Sequence, residues 1–185
     1  MELQEIARLV NNDLFLDPPV TADTLQTVQR FTLLWMIYEG RVFGTKYKNA
    51  TLEELVMAGL IRLENLNTPW NYFASRYMGD SATLNDTFDQ LSFESRKDES
   101  RLRGILTSGT TDTKERTLAI LLVVHRLRNN LFHGIKKMAS LNLQRENLDM
   151  ANSVLEDILM GGPQSKIHVG HTGDCSIWGK QQGSP

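Results

Sequence analysis

Apolar residues recur along most of this chain at helical rather than strand spacing. Leu3, Ile6, Ala7, Val10 and Leu14 follow the i, i+3, i+4, i+7 stripe of an amphipathic helix. Pro18-Pro19 interrupts it, and Thr21 or Asp23 is placed to cap the next helix. That second helix carries Leu25, Val28, Phe31, Leu34, Trp35, Ile37, Tyr38 and Val42 before Gly44 releases the chain. Thr51-Leu-Glu-Glu54 reads as a capping box opening a third helix, continued by Leu52, Leu55, Val56, Leu60 and Leu63 until Pro69.

From Asn67 to Thr83 turn residues and aromatics (Trp70, Tyr72, Phe73, Tyr77) predict a long loop packed on the core. The aromatics there could stack bases, but core packing is the favoured reading. A weaker amphipathic pattern runs from Leu84 to Leu106, and Thr107 to Thr113 is a breaker. Asp112, with Glu115 three residues on, opens a helix spanning about Thr113 to Met138. Leu148, Ala151, Val154, Leu155, Ile158 and Leu159 mark a last helix, stopped by Gly161-Gly162-Pro163. The pattern predicts an all-α bundle of four to six helices over 1–162, and an irregular tail over 163–185.

Composition narrows the class. In 185 residues, 41% are hydrophobic and 23% charged, enough for one soluble domain with its own core. The longest apolar run, Leu118 to Val124, is far short of the roughly 18 residues a membrane span needs. The first residues carry too many charges for a secretory signal, and the single Cys175 cannot close an internal disulfide. The expectation is a cytoplasmic protein that does not engage a membrane. Net charge is −2, so no global field draws polyanions. Locally, Lys114, Arg116, Arg126, Arg128, Lys136 and Lys137 face only Glu115 as an acid, which is either a solvated helix face or a phosphate-binding surface.

Candidate chemistry concentrates in LAILLVVHRLRNNLFHGIKK, Leu118 to Lys137. Its first half is apolar on nearly every face, as for a helix at the centre of a bundle. In its second half His125, Asn129 and His133 are four residues apart and share one face. Arg128 is about 140° round the helix from His133, within reach of a long side chain. These types suit phosphodiester cleavage: His133 as acid and base, Arg128 as a planar phosphate clamp, Asn129 as orienter. Arg126, Asn130, Lys136 and Lys137 are the accompanying RNA-binding candidates. With the 2′-hydroxyl of RNA as nucleophile the reaction needs no metal and no cofactor. Against this stands a structural reading, in which a helical histidine is a satisfied packing residue and Arg and Asn bridge a helix end.

RLRNNLFHG, Arg126 to Gly134, resembles the signature of the HEPN superfamily, an arginine and a histidine separated by four to six residues on one helix of a four- or five-helix bundle. Arg128, four residues and His133 fit it, with Asn129 in the polar position after the arginine. RFTLLWMIYEG, Arg30 to Gly40, is similar to the aromatic-rich helix that such bundles pack against the motif helix, and the likeness covers Leu25 to Leu159. It implies a homodimer in which two motif helices meet across a two-fold axis to build one cleft. It also implies a metal-independent endoribonuclease, of the toxin or phage-defence type, with a possible cognate antitoxin or regulator. Two rival readings are a non-catalytic module that binds a nucleotide or partner protein, and a helical scaffold or antitoxin-like subunit docking an acidic partner.

Other motifs are weaker. His168, His171 and Cys175 have zinc-like spacing but offer three ligands in a Gly-rich tail, so no metal site is assigned. Cys175 lacks a defined activating base, and neither paired carboxylates nor a phosphate-binding glycine loop is present.

Overall fold

The computed structural model describes residues 2–16, 19–44, 47–79, 83–132 and 140–161. Eight α-helices lie among them, more than the four to six the apolar pattern predicts: α1 (Leu3–Leu14), α2 (Ala22–Phe43), α3 (Asn49–Met57), α4 (Asn67–Tyr77), α5 (Asp86–Asp89), α6 (Arg96–Thr107), α7 (Thr113–Phe132) and α8 (Arg145–Met160). A short 3₁₀ turn, Asn142–Gln144, leads into α8. Among the described residues there is no strand, only one isolated bridge between Met78 and Leu84. No helix among them is long and apolar enough to cross a membrane. The 163–185 tail, with His168, His171 and Cys175, lies outside the described residues.

The helix starts follow local chemistry. Thr21, not Asp23, caps α2, its hydroxyl accepting from the Thr24 amide at 3.1 Å. Asp112 accepts from the Lys114 and Glu115 amides at 2.8 and 2.9 Å, satisfying two free donors of α7. Gly44 ends α2 with φ 73°, a left-handed value a side chain would resist.

Three expectations are corrected. The helix at Thr51 begins earlier, at Asn49, which puts Thr51 in the first turn rather than at the cap. It ends at Met57 instead of running to Pro69, because Gly59 turns the chain at φ 73°. Asn67 to Thr83 is not a loop: most of it is α4, with Pro69 in the first turn, where its missing N–H leaves no hydrogen bond unmade. Leu84 to Leu106 is not one helix, because Asn85 caps the short α5, Ser92 turns the chain at φ 51°, and Ser95 caps α6.

Around α7 the other helices assemble. Every residue from Thr117 to Val124 is buried, and α7 packs on α3, α4, α6 and α8. An apolar surface with no polar side must be wrapped on all sides to leave water. The most extensive helix pair is α2 with α8, which run side by side in the same direction. Thr27 donates to Asp149 at 2.9 Å, and Arg30 binds Glu156 at 2.6 Å. At the start of this pair Asn142 acts as a staple: its amide donates to the Pro19 carbonyl at 2.7 Å and accepts from the Thr24 hydroxyl at 2.8 Å.

If α7 is the hub, truncating it is costly. Leu121→Ala removes a side chain that is 2% exposed and should lower stability by about 2–5 kcal/mol. Urea unfolding measures this; a loss under about 1 kcal/mol would show that the centre repacks without the leucine.

Candidate functional site

Past Leu127, α7 leaves the core. Arg128, Asn129, Asn130 and Leu131 are partly buried, and Phe132 is 56% exposed. At 100° per residue, His125, Arg128, Asn129 and Phe132 fall on one side of the helix, while Leu127, Asn130 and Leu131 fall on the other. The two sides meet different parts of the protein.

On the first side lie Trp35 of α2 and Tyr47, just beyond it. Trp35 is held by donating its indole N–H to Glu39 at 3.0 Å, and Glu39 also accepts from the Tyr47 amide at 3.4 Å. The His125 ring stacks on Tyr47 with centroids 4.1 Å apart and on Trp35 at 5.8 Å. Its Nδ1 is buried with no hydrogen-bond partner. Burial, then the charges of Arg126 and Arg128, lower its pKa to about 4, against a weaker upward pull from Asp98. His125 is therefore neutral at pH 7.

Arg128 sits one turn on. Its guanidinium lies 5.8 Å from the Trp35 ring centroid and 5.3 Å from that of Phe132. One terminal nitrogen donates to the Asn129 side-chain oxygen at 3.2 Å, and Nε has no partner. Among the described residues no carboxylate lies within ion-pair distance of it. An arginine held by aromatic faces keeps its donor edge and its full charge.

Arg126 has the opposite environment. It is 6% exposed, and Nε donates to the Leu91 carbonyl at 3.1 Å. A terminal nitrogen donates to the Ser92 carbonyl and reaches the Asn130 side-chain oxygen at 3.3 Å. Glu94 is 3.5 Å away, and the Phe93 ring lies against the guanidinium. Asn130 donates to the Leu91 carbonyl at 3.1 Å and to that of Gln90 at 3.4 Å. Both expected RNA contacts thus bind the turn between α5 and α6, satisfying carbonyls that helical bonds leave free.

The basic run of the sequence is also divided. Lys114 donates to the Met57 carbonyl at 2.7 Å, and Arg116 donates to that of Thr110 at 2.7 Å while covering Trp70. These two lie at the opposite end of α7 from Arg128, about 18–21 Å away at 1.5 Å per residue. They do not share a surface with it. His133, Lys136 and Lys137 lie outside the described residues. Among the described residues no three His, Cys, Asp or Glu side chains cluster as a metal-binding group.

The sequence named Arg128 and Asn129, and its resemblance put the helix of Trp35 against the motif helix, but nothing in it singled out Tyr47. Tyr47 follows the glycine that ends α2 and has no periodicity to mark it. Of the α4 aromatics, Trp70, Phe73 and Tyr77 are buried, as the core-packing reading expects, and Tyr72 is partly exposed.

The stacked histidine should be visible in the pH dependence of stability. Unfolded, the imidazole titrates near 6.5, so between about 6.5 and 4 the unfolded chain binds more protons than the folded one. Its contribution is therefore present above pH 6.5 and is lost as pH falls toward 4, on the order of 3 kcal/mol in all. His125→Phe preserves a ring on Tyr47 but cannot charge, so the stability difference between pH 7 and pH 4.5 should shrink relative to wild type in urea titrations. Identical differences in the two proteins would mean that His125 is not the group responsible.

Comparison with protein-family models, with characterised proteins and with solved structures gave no match.

Proposed function

We propose that the protein is a metal-independent endoribonuclease of the HEPN kind, with Arg128 as phosphate clamp, Asn129 as orienter and His133 as acid/base. The observation that carries this reading is the state of Arg128. Its charge is neutralised by no carboxylate among the described residues, and its planar group is steadied by Trp35 and Phe132. Eight of the eleven other arginines of the described residues bind a carboxylate or a backbone carbonyl, and Arg126, two residues earlier, does both. A preorganised, unpaired guanidinium is what a phosphodiester needs as negative charge builds in the transition state.

In this mechanism His133 takes the proton of the ribose 2′-hydroxyl, and the freed oxygen attacks the adjacent phosphorus. The bond to the 5′-oxygen breaks, and that oxygen leaves with the proton that His133 took up, which returns the imidazole to its neutral state. The products are a 2′,3′-cyclic phosphate and a 5′-hydroxyl end. Arg128 binds the non-bridging oxygens, and its bond to Asn129 fixes the direction of its fork.

The working unit is proposed to be a symmetric homodimer, so that a second copy of the pair completes one cleft. A separate apolar surface open to another copy is a stripe on the outer face of α2, on the side of that helix away from Trp35 and Arg128. Leu33, Met36 and Ile37 are 53%, 63% and 47% exposed, and with Gly40 they follow helical i, i+3, i+4, i+7 spacing. A Cβ at Gly40 would meet nothing within 4 Å, so packing inside the chain gives no reason for glycine in mid-helix. Such a glycine costs about 1 kcal/mol relative to alanine. A second helix approaching closely supplies the reason.

Purified protein should cleave single-stranded RNA in excess EDTA, leaving cyclic phosphate ends. His133→Ala and Arg128→Ala should each reduce the rate by a factor on the order of 10² to 10⁴ with little change in melting temperature. Arg128→Lys should restore only part of it, because an ammonium keeps the charge and loses the fork. Arg126→Gln should instead destabilise the fold by about 2–4 kcal/mol, since buried carbonyls of the α5–α6 turn lose their donor. Binding of RNA without cleavage by any of these proteins would leave the non-catalytic module as the reading. Activity that vanishes with EDTA and returns with a divalent metal would refute the mechanism.

Light scattering at micromolar concentration should give twice the mass of one chain. Placing charge in the stripe, with Met36→Glu and Ile37→Glu together, should halve it without unfolding the protein. A wild-type monomer would rule out the two-fold cleft.

A further inference from the structure

On the side of α7 away from Arg128 there is a cavity of about 840 Å³. Its walls are one face of α4, the turn after α5, the Leu127, Asn130 and Leu131 face of α7, and the segment from Ser140 into the start of α8. That is within the 300–1,000 Å³ range of small-molecule sites. Most of the lining is apolar, with leucines from the turn after α5, from α7 and from the segment leading into α8.

Its charge is one-sided. Among the described residues that line it, Arg76 is the one ionised side chain and no Asp or Glu is present. Arg76 stands on α4 between Tyr72 and Tyr77. Burial raises both phenols, and Arg76 lowers both through its charge and a side-chain hydrogen bond, while Glu146 and Asp149, outside the lining, push Tyr72 up. Tyr72 donates its own proton to the Asn147 side-chain oxygen at 2.9 Å, and Asn147 donates to Gln144 at 2.6 Å. The Arg76 Nε is buried without a hydrogen-bond partner. No carboxylate among the described residues pairs with it. A buried donor on a cation is expensive to leave unmet, and an anion is the group that meets it.

We infer that this cavity binds a small amphipathic anion, with a carboxylate or phosphate on Arg76 and an apolar or aromatic body against Leu127 and Leu131. The single cation sets the charge at one anionic group, and the cavity volume limits the ligand to a small organic molecule. This site is on the other side of α7 from Arg128, and it stands whether or not RNA is cleaved. Asn130 lines the cavity and shares the α5–α6 turn with Arg126, on the same helical segment as Arg128.

Isothermal titration of the full chain with indole-3-acetate, octanoate, adenosine monophosphate and inorganic phosphate tests this. At least one organic anion should bind at one site per chain, with Kd below about 1 mM, and inorganic phosphate should bind far more weakly because it has no apolar body. The carboxylate and phosphate probes separate the two sources of the anion. For a carboxylate ligand the neutral amide analogue should bind about 10- to 100-fold more weakly, the worth of one charge-assisted contact. Arg76→Gln should weaken the anion by a similar factor and leave the amide unchanged, a pattern that misfolding cannot produce. Ser75→Trp, which puts bulk into the same wall from the exposed side of α4, should abolish both. No saturable binding of any organic probe, or equal affinity for acid and amide, or anion binding that survives Arg76→Gln, would overturn the inference.

Discussion

The whole architecture answers one constraint: a stretch in the middle of a helix with no polar side. From Leu118 to Val124 every residue of α7 is apolar and buried, so neighbours must cover it on every azimuth. α3, α4, α6 and α8 do so, and α2 closes the arrangement by packing on α8. The same constraint makes the last turns of α7 chemically interesting. A helix that is fixed over most of its length presents its emerging polar residues with little freedom, and preorganisation is what a clamp requires.

Two arginines two residues apart on this helix have opposite fates, and the reason is geometric. A step of two residues turns the helix by about 200°, so Arg126 and Arg128 face different neighbours. Arg126 points at a turn whose carbonyls have no helical partner and becomes part of the fold. Arg128 points at Trp35 and Phe132, surfaces that attract a cation without consuming its donors. Residue type and basic clustering do not distinguish these roles; the azimuth and the neighbouring segment do. For the same reason the run from Lys114 to Arg128 is no single surface, since a helix of this length separates its ends.

Much of the fold was legible in the sequence wherever periodicity was strong. α1, α2, α7 and α8 lie where their apolar stripes put them, and the breaker at Thr107 to Thr113 separates α6 from α7. The failures have local causes. Pro69 and the surrounding asparagines and aromatics suggested a loop, but a proline in a first helical turn is compatible with helix and the aromatics supply its buried face. Ser92 in a left-handed conformation split one expected helix in two, and nothing in its neighbours announces that. Of the site, Arg128 and Asn129 were legible by type and spacing. Of the aromatic platform beneath them, Trp35 belongs to the helix that the resemblance puts against the motif helix, whereas Tyr47 lies outside any apolar stripe and meets Trp35 only in the folded chain.

The pairing of α2 with α8 bears on how the chain is made. Thr27 and Asp149 are 122 residues apart, and Asn142 staples a segment 118 residues before it. At 5–20 residues per second, α2 leaves the ribosome roughly ten seconds before its partner exists. Through that interval Phe31, Trp35 and Tyr38 have no completed core to enter. The nascent protein therefore offers a long-lived apolar helix to chaperones, and to any neighbouring copy emerging from the same message.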